Sequence, residues 1–498
     1  MSFSSGLILT DLNDYIAPSQ ACIKPVEVKR PGGVTGDDAA QTAIKIDDAG
    51  QYYEVALDGA ETRLETASIT LNDCLACSGC ITSAESVLVA MQSHEELVKV
   101  LQENRKLVVV SVSPQSRASL AATYGLTPLQ TMQRLTHALK QLGVHYVLDT
   151  SFSRDISLIE SAREFVERFQ CWKEDGVTAS VSEPHGMPML ASACPGWICY
   201  AEKTHGFLVP YISLAKSPQQ IMGSLVKDHL ATKLNVRQVD FADQIYHVCV
   251  MPCYDKKLEA SREDFYNDVL RTRDVDCVIS SGELEKMLLD EAVRLDNCSE
   301  APIDTLFAKA RMVDGGQQTK LLGTSGTASG GYLEYIMRYA ARELFGIRNV
   351  DVDAGQGVSV RTVRNADFRE VTLQDASGNT LLSFAAVYGF RNIQNLVRKM
   401  KTRRAPYHYV EVMACPSGCI NGGGQLKPPE HISAKEWIAR VDANYRSVST
   451  QLPEENDTVL AVYREWLGEF GSERATHLLR TSYRAVEEKA TNPLAVKW

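Results

Sequence analysis

Three cysteines stand at intervals of three residues in one short run, Cys74-Leu-Ala-Cys77-Ser-Gly-Cys80. Thiolates at this spacing can wrap one cuboidal iron–sulfur cluster, because each turn of the backbone presents a sulfur to a different iron. Gly79 lets the chain turn tightly against the inorganic sulfides. A cubane needs a fourth ligand, and Cys22 is the best candidate because no other cysteine precedes the run. The pattern predicts a [4Fe-4S] cluster on Cys22, Cys74, Cys77 and Cys80.

Two other kinds of site compete with this interpretation. Zinc is usually bound by cysteines that come in separated pairs rather than in an unbroken triple. A redox dithiol needs only two cysteines and normally follows a strand in a thioredoxin-like unit. The run therefore favours a cluster, while a zinc site and an unmetallated set of thiols stay open as alternatives.

Four further cysteines are dispersed along the chain but share a local context. Each follows a strand-like run and precedes a break at proline or glycine, in the segments Ala191–Trp197, Met251–Glu259 and Glu411–Gln425. A parallel sheet collects ligands beyond the carboxyl ends of its strands, so three such ends can converge on one site. The sequence thus predicts a second site with four thiols, the number that a cubane needs, made by Cys194, Cys253, Cys415 and Cys419.

The elements that must position these residues follow an alternating pattern from Leu107 onward. Short apolar runs predict buried strands, and amphipathic stretches between them predict helices. The predicted strands are Leu107–Val112, Val144–Leu148, Ile245–Val250, Val275–Ile279, Leu382–Tyr388 and Tyr407–Met413. The predicted helices are Pro128–Leu142, Ile156–Phe169, Pro218–Leu234, Glu283–Ala292, Gly331–Phe345 and Asn392–Lys401, and then Ala434–Tyr445, Thr458–Phe470 and Ala475–Lys489. This alternation indicates parallel βαβ units followed by a helical end.

A glycine-rich run, Gly323 to Gly331, precedes one of the predicted helices. It lacks the lysine of a phosphate-binding loop and the glycine spacing of a dinucleotide site. Close backbone packing beside the cysteine cleft is the preferred interpretation. Backbone amides in such a turn can also donate hydrogen bonds to cluster sulfides and tune the redox potential.

Composition narrows the class of protein further. The chain has 498 residues and a net charge of −10, which argues against sequence-independent nucleic-acid binding. The sequence predicts neither a secretory signal nor a membrane span. We therefore expect a cytosolic protein, also present in the nucleus, with no direct contact to nucleic acid or membrane. In a reducing compartment 13 cysteines indicate metal binding rather than disulfides.

The three dispersed cysteine segments resemble the three signature motifs of iron-only hydrogenases, including the spacing within each. Pro210–Gly223 and Ser325–Gly331 also look like that family, so the resemblance runs from about Leu107 to Gln425. It implies an α/β fold of two parallel-sheet lobes with a cluster in the cleft between them. It also implies that Cys194, Cys253, Cys415 and Cys419 ligate the cubane, and that Cys419 matches the thiolate bridging to the two-iron subsite of true hydrogenases.

Two positions decide what the resemblance implies about activity. Hydrogenases have a cysteine where this chain has Ala193, and alanine has no ionisable proton to relay to the active iron. Lys256 matches a lysine that contacts the two-iron subsite, so the presence of that subsite stays an open question. We expect a carrier or adaptor without hydrogenase activity, with a hydrogenase-type redox enzyme and an oxygen- or redox-sensing iron–sulfur protein as alternatives.

Together with the N-terminal cysteine pattern, the whole chain resembles the eukaryotic iron-only hydrogenase-like family of cytosolic iron–sulfur assembly, the nuclear prelamin A recognition factor-like family. The resemblance implies two [4Fe-4S] clusters and delivery of clusters to cytosolic and nuclear apoproteins. It also implies two partners, a scaffold complex of P-loop NTPases and a targeting complex that contains WD repeats.

The chain ends in Trp498, where an aromatic side chain and a free carboxylate can be captured together. The family resemblance implies docking of such an aromatic on the targeting complex. An acidic residue usually precedes it, whereas Lys497 stands here, so a free tail is the alternative.

The predicted units are residues 1-104, an N-terminal iron–sulfur segment; 105-240 and 241-430, two α/β lobes; and 431-498, a helical region with the tryptophan tail.

Overall fold

The computed structural model describes residues 88–175, 186–234, 244–268, 271–304 and 321–486, and the backbone of three short N-terminal strands. Its strands are β1 (Ala43–Ile46), β2 (Tyr52–Val55), β3 (Glu61–Arg63), β4 (Leu107–Val112), β5 (Tyr146–Asp149), β6 (Met189–Leu190), β7 (Ile245–Met251), β8 (Tyr266–Asn267), β9 (Thr272–Arg273), β10 (Cys277–Ser280), β11 (Val358–Thr362), β12 (Phe368–Gln374), β13 (Thr380–Tyr388) and β14 (Tyr409–Met413).

The helices alternate with these strands and then close the chain. They are α1 (His94–Glu103), α2 (Pro114–Tyr124), α3 (Pro128–Gln141), α4 (Ser151–Asp175), α5 (Pro195–Thr204), α6 (Pro218–Ser224), α7 (Asp255–Ala260), α8 (Ser281–Asp290), α9 (Tyr332–Phe345), α10 (Phe390–Lys401), α11 (Ala434–Arg446), α12 (Asp457–Val462) and α13 (Glu473–Leu479). The π-helical stretches Leu225–Leu230 and Tyr463–Leu467 extend α6 and α12. Among the residues described, no helix is long and apolar enough to cross a membrane.

The first large sheet is parallel throughout and has the order β10-β7-β4-β5. All seven residues of β7 and five of the six in β4 are buried, as expected when helices cover both faces of a parallel sheet. Its core is made of valine, leucine and isoleucine from these strands and from α3 and α8.

The second large sheet has the order β11-β12-β13-β14-β6. Strands β13, β14 and β6 are parallel, and β11 and β12 add an antiparallel edge. Its core includes α4, α9 and the C-terminal residues Val459, Val462 and Trp466. Helices α12 and α13 therefore complete this hydrophobic core, whereas α11 packs against α2 in a separate cluster.

The six predicted strands from Leu107 onward are confirmed, and each of their ends lies within two residues of the predicted end. The predicted helix Ala475–Lys489 is wrong over residues 480–486, because the chain leaves helical geometry at Arg480 and the Thr481 amide donates to the Leu214 carbonyl; residues 487–489 lie outside the described residues. The hairpin β11–β12 was not predicted, since β11 is a short, mostly exposed strand whose only apolar residues are Val358 and Val360.

Strand pairing does not follow the predicted lobe boundary at residue 240. The first sheet takes β4 and β5 from before this point and β7 and β10 from after it, while β6 pairs with β14 in the second sheet. Local hydrophobic patterns specify strands but not their partners, so the interleaving of the two sheets along the chain was not visible in the sequence.

Candidate metal centre

Cys194 lies just beyond the carboxyl end of β6. It is the N-cap residue of α5, and Pro195 occupies the first turn, where its missing N–H costs no hydrogen bond. The amide of Ala414, which follows β14, donates a hydrogen bond to the Cys194 sulfur at 3.3 Å. Cys194 is thus held at the junction of two neighbouring parallel strands.

Cys253 comes from the other sheet, two residues beyond the end of β7. The short helix α7 follows directly and places Lys256 and Glu259 on one side, with Lys256 Nζ donating to Glu259 Oε2 at 2.8 Å. Both side chains are buried. The lysine charge is therefore compensated within the helix that follows this cysteine.

Cys415 and Cys419 lie on the loop that follows β14. The backbone reverses between them through Ser417 and Gly418, which have φ of 60° and 78°, a region that glycine tolerates best. Further on, the Gly424 amide donates to the Pro252 carbonyl at 2.9 Å. This hydrogen bond joins the loop of the second sheet to the residue that precedes Cys253 in the first.

The structure brings the four predicted ligands of this site together. Each of the six possible pairs among Cys194, Cys253, Cys415 and Cys419 interacts electrostatically. Burial raises the pKa of Cys194 to about 12, and burial together with the neighbouring Asp255 and the other thiols raises the pKa of Cys253 and Cys415 well above the ordinary thiol value. In the absence of metal these groups are therefore neutral thiols at physiological pH.

The arrangement suits a cluster better than a single ion. Within the described ranges, no group of three or more His, Cys, Asp or Glu side chains is spaced for one metal ion. A cubane has different requirements, because each thiolate binds a different iron and the four sulfurs surround an inorganic core. Four thiols that interact in every pair, yet are not grouped for a single ion, fit a cubane, and iron binding would displace their protons.

A cavity of about 60 Å³ borders this site, with Ala193, Lys256, Cys419, Gln219 and Arg154 among its lining residues. The Gln219 side-chain amide donates to the Lys256 carbonyl at 3.1 Å, while its Oε1 has no hydrogen-bond partner among the described residues. Ala193 contributes only a methyl group here. The position where the hydrogenase resemblance expects a proton-relaying thiol thus faces the cavity with no ionisable group.

Three residues near the thiols were missed from the sequence. Asp255 is half-buried, and its desolvation raises its pKa to about 6. Ser329 hydrogen-bonds to Cys419, and Glu411, fully buried on β14, anchors the glycine-rich run. Asp255 and Glu411 lie within four residues of a predicted ligand, which is a signal that could have marked them, whereas the contact of Ser329 is visible only in the structure.

The remaining predicted site residues lie outside the described part of the chain. They are Cys22, Cys74, Cys77, Cys80 and Trp498. The N-terminal cluster and the tryptophan anchor therefore stay predictions.

Two known protein families match successive parts of the chain. Residues 106–423 match the family described as iron only hydrogenase large subunit, C-terminal domain. Residues 436–486 match the family described as iron hydrogenase small subunit.

Curated relatives match over the full length. A cytosolic Fe-S cluster assembly factor from Xenopus tropicalis is 53% identical over 505 residues, covering 100% of this chain and 99% of the relative. The cytosolic iron-sulfur assembly component 3 of Rattus norvegicus is 52% identical with the same coverage. Among solved structures, an apo variant of the [FeFe]-hydrogenase from Chlamydomonas reinhardtii has a TM-score of 0.65 and 28% identity, covering 79% of this chain and 99% of the hydrogenase.

Proposed function

The chain belongs to the iron-only hydrogenase-like family of cytosolic iron–sulfur cluster assembly factors, and we propose that it acts in that assembly as a non-enzymatic carrier or adaptor holding two [4Fe-4S] clusters. One cluster is bound by Cys194, Cys253, Cys415 and Cys419. The other is bound by Cys22, Cys74, Cys77 and Cys80.

One observation supports the first cluster above all. Four thiols from three separate strand ends, belonging to two different sheets, lie close enough that every pair interacts. Buried cysteines without metal pack as small apolar groups and have no reason to face one another. When bound, the cluster supplies a one-electron redox centre and a group that chelators or partner proteins can remove.

The described residues provide the enclosure for this cluster, and they place no thiol at the position where the hydrogenase resemblance expects the proton relay. Ala193 offers no acid beside Cys419, and Lys256 is paired with Glu259. A carrier needs tight ligation without turnover, and these residues provide that.

The first experiment measures iron and acid-labile sulfide in anaerobically purified protein, with EPR after reduction. We expect about eight iron and eight sulfide per chain, falling to about four of each in Cys74→Ala and in Cys253→Ala. Cys199→Ala is the matched control, because Cys199 is a half-buried neighbour on α5 with no place in the ligand set. Four or fewer irons in folded wild-type protein, or zinc in place of iron, would contradict the proposal.

A hydrogenase-type redox enzyme is the second candidate. The cavity that joins Lys256 to Cys419 favours it, since a further group could be accommodated beside the cubane. About ten irons per chain and infrared bands of iron-bound carbonyl and cyanide would support this candidate. An infrared spectrum without those bands would support a cubane that carries no two-iron subsite.

The partners are proposed on the family relationship. We infer that the chain links a scaffold complex of P-loop NTPases to a WD-repeat-containing targeting complex in the cytoplasm and nucleus, with Trp498 docking on the targeting complex. Deletion of Trp498 should abolish binding to that complex in a pull-down and leave the iron content unchanged. Retained binding would assign the docking to another surface.

A further inference from the structure

The glycine-rich run before α9 places a serine against one of the proposed cluster ligands. Ser329 is 7% exposed, and its Oγ accepts a hydrogen bond from the Cys419 amide at 3.1 Å. The same hydroxyl also makes a side-chain hydrogen bond with the Cys419 sulfur. Because a serine hydroxyl has one proton, it accepts from the amide and donates to the sulfur.

A buried carboxylate fixes the run that carries Ser329. Glu411 accepts hydrogen bonds from the Tyr388 hydroxyl at 2.5 Å, from the Leu333 amide at 2.7 Å and from the Thr327 hydroxyl at 3.3 Å. Glu411 belongs to β14, the strand that leads into the loop of Cys415 and Cys419. The serine and the cysteine it contacts are therefore held by the same strand.

The loop of Cys419 is shaped to receive the hydroxyl. Gly418 has φ of 78°, and a Cβ at this position would collide with Ser329 Oγ. Gly330 and Gly331 also have positive φ, which turns the chain away immediately after the serine. Glycine on both sides thus allows the hydroxyl to approach the cysteine closely.

We propose that Ser329 is a positioning residue that orients Cys419 and raises the reduction potential of the cluster on Cys194, Cys253, Cys415 and Cys419. Reduction adds negative charge to the cluster and its thiolates, so a hydrogen bond to a ligand sulfur stabilises the reduced state more than the oxidised state. The amide bond to Oγ polarises the hydroxyl and strengthens this donation. The inference rests on the proposed function, because it requires the cluster to be bound.

A purely structural role for Ser329 makes a different prediction. If the hydroxyl only fixed the loop through the Cys419 amide, its removal would lower the amount of bound cluster and leave the potential of the bound fraction unchanged. The potential therefore separates the two roles.

The test is an EPR-monitored redox titration in the Cys74→Ala background, where only this cluster is expected. Ser329→Ala should shift the midpoint potential to more negative values by about 59 mV. For a one-electron reduction this corresponds to a change of about tenfold in the equilibrium constant. Ser329→Thr keeps the hydroxyl and should restore the potential. Ser192→Ala is the matched control, because Ser192 is also buried next to a ligand segment but donates to the Ala215 carbonyl at 2.7 Å.

A second variant provides the test if Ser329→Ala binds too little cluster for a redox titration. Tyr388→Phe removes the hydroxyl that bonds to Glu411 and Thr327, loosening the run without touching Cys419, and should give a smaller negative shift. If Ser329→Ala and Tyr388→Phe have the same midpoint potential as Ser192→Ala, the inference about Ser329 is wrong and the proposed function is unaffected. No cluster spectrum from the Cys74→Ala parent would instead overturn the proposed function, and this inference with it.

Discussion

The thiols of the metal centre depend on small residues that let backbone and side chains come close. Gly418 reverses the chain between Cys415 and Cys419, and Gly422 packs against the Pro252 carbonyl, where a Cβ would collide. A larger residue at either point would move a thiol that has to meet three others. The ligand set is therefore sensitive to changes at residues that bind nothing themselves.

Gly418→Ala should lower the cluster content of the chain severalfold. Gly418 has φ of 78° and ψ of −162°, a region essentially restricted to glycine, so alanine costs about 1–3 kcal/mol there and also meets Ser329 Oγ. Gly378→Ala is the matched control, because Gly378 has a similar φ of 83° but open space around its Cβ position. The iron-to-protein ratio of both variants, purified anaerobically, checks this. Equal iron in the two variants would contradict the prediction.

Buried polar side chains connect the elements that carry the ligands. In the first sheet, His247 of β7 pairs through Nε2 with the Ser111 hydroxyl of β4 at 2.8 Å, and through Nδ1 with the Asp274 carbonyl at 3.0 Å. Burial lowers the pKa of His247 to about 3, with Lys227 acting in the same direction. The ring is neutral, and its hydrogen bonds tie the central strands together close to the start of the Cys253 segment.

The free energy of unfolding should depend on pH through the protonation of His247. Its pKa is about 3 in the folded chain and roughly 6.5 when unfolded, so the unfolded state binds more protons below pH 6.5. The stabilisation is fully present above that pH and is lost as pH falls toward the folded pKa, by about 1.4 kcal/mol at pH 5.5. Urea unfolding of wild type and His247→Asn at pH 7.5 and 5.5 measures the difference. Equal pH slopes for the two proteins would contradict the prediction.

At the scale of the whole molecule, the proposed cluster lies where two sheets meet. Three of its ligands follow β6 and β14 of one sheet and the fourth follows β7 of the other, and the Gly424 amide bridges the two at the Pro252 carbonyl. Full removal of the cluster therefore requires the sheets to separate locally. The similarity to the hydrogenase from Chlamydomonas reinhardtii over 79% of the chain confirms the predicted iron-only hydrogenase-like α/β fold.

Resistance to chelators should differ between the two proposed clusters. In Cys74→Ala, which retains only the cluster between the sheets, we expect slow stripping that accelerates when urea below the unfolding transition opens the sheets. In Cys253→Ala, which retains only the predicted N-terminal cluster, stripping should be faster. Absorbance at the cluster band during chelation follows both variants. Equal rates from folded protein would refute this division.

The sequence by itself determined which thiols could act together. The apolar runs and the breaks at proline or glycine identified the strand ends that carry Cys194, Cys253, Cys415 and Cys419, because burial and turn geometry leave local patterns. The structure confirmed the strands and brought these four residues together. The ligation itself stays a prediction.

Only the tertiary structure decided how those ends meet. The pairing of β4 with β7 and of β6 with β14 joins residues far apart in the chain, and short apolar runs are compatible with many partners. The contact of Ser329 with Cys419 joins residues 90 positions apart through one hydroxyl and a neighbouring glycine. Such contacts depend on the packing of whole sheets, and no local pattern of residue types encodes them.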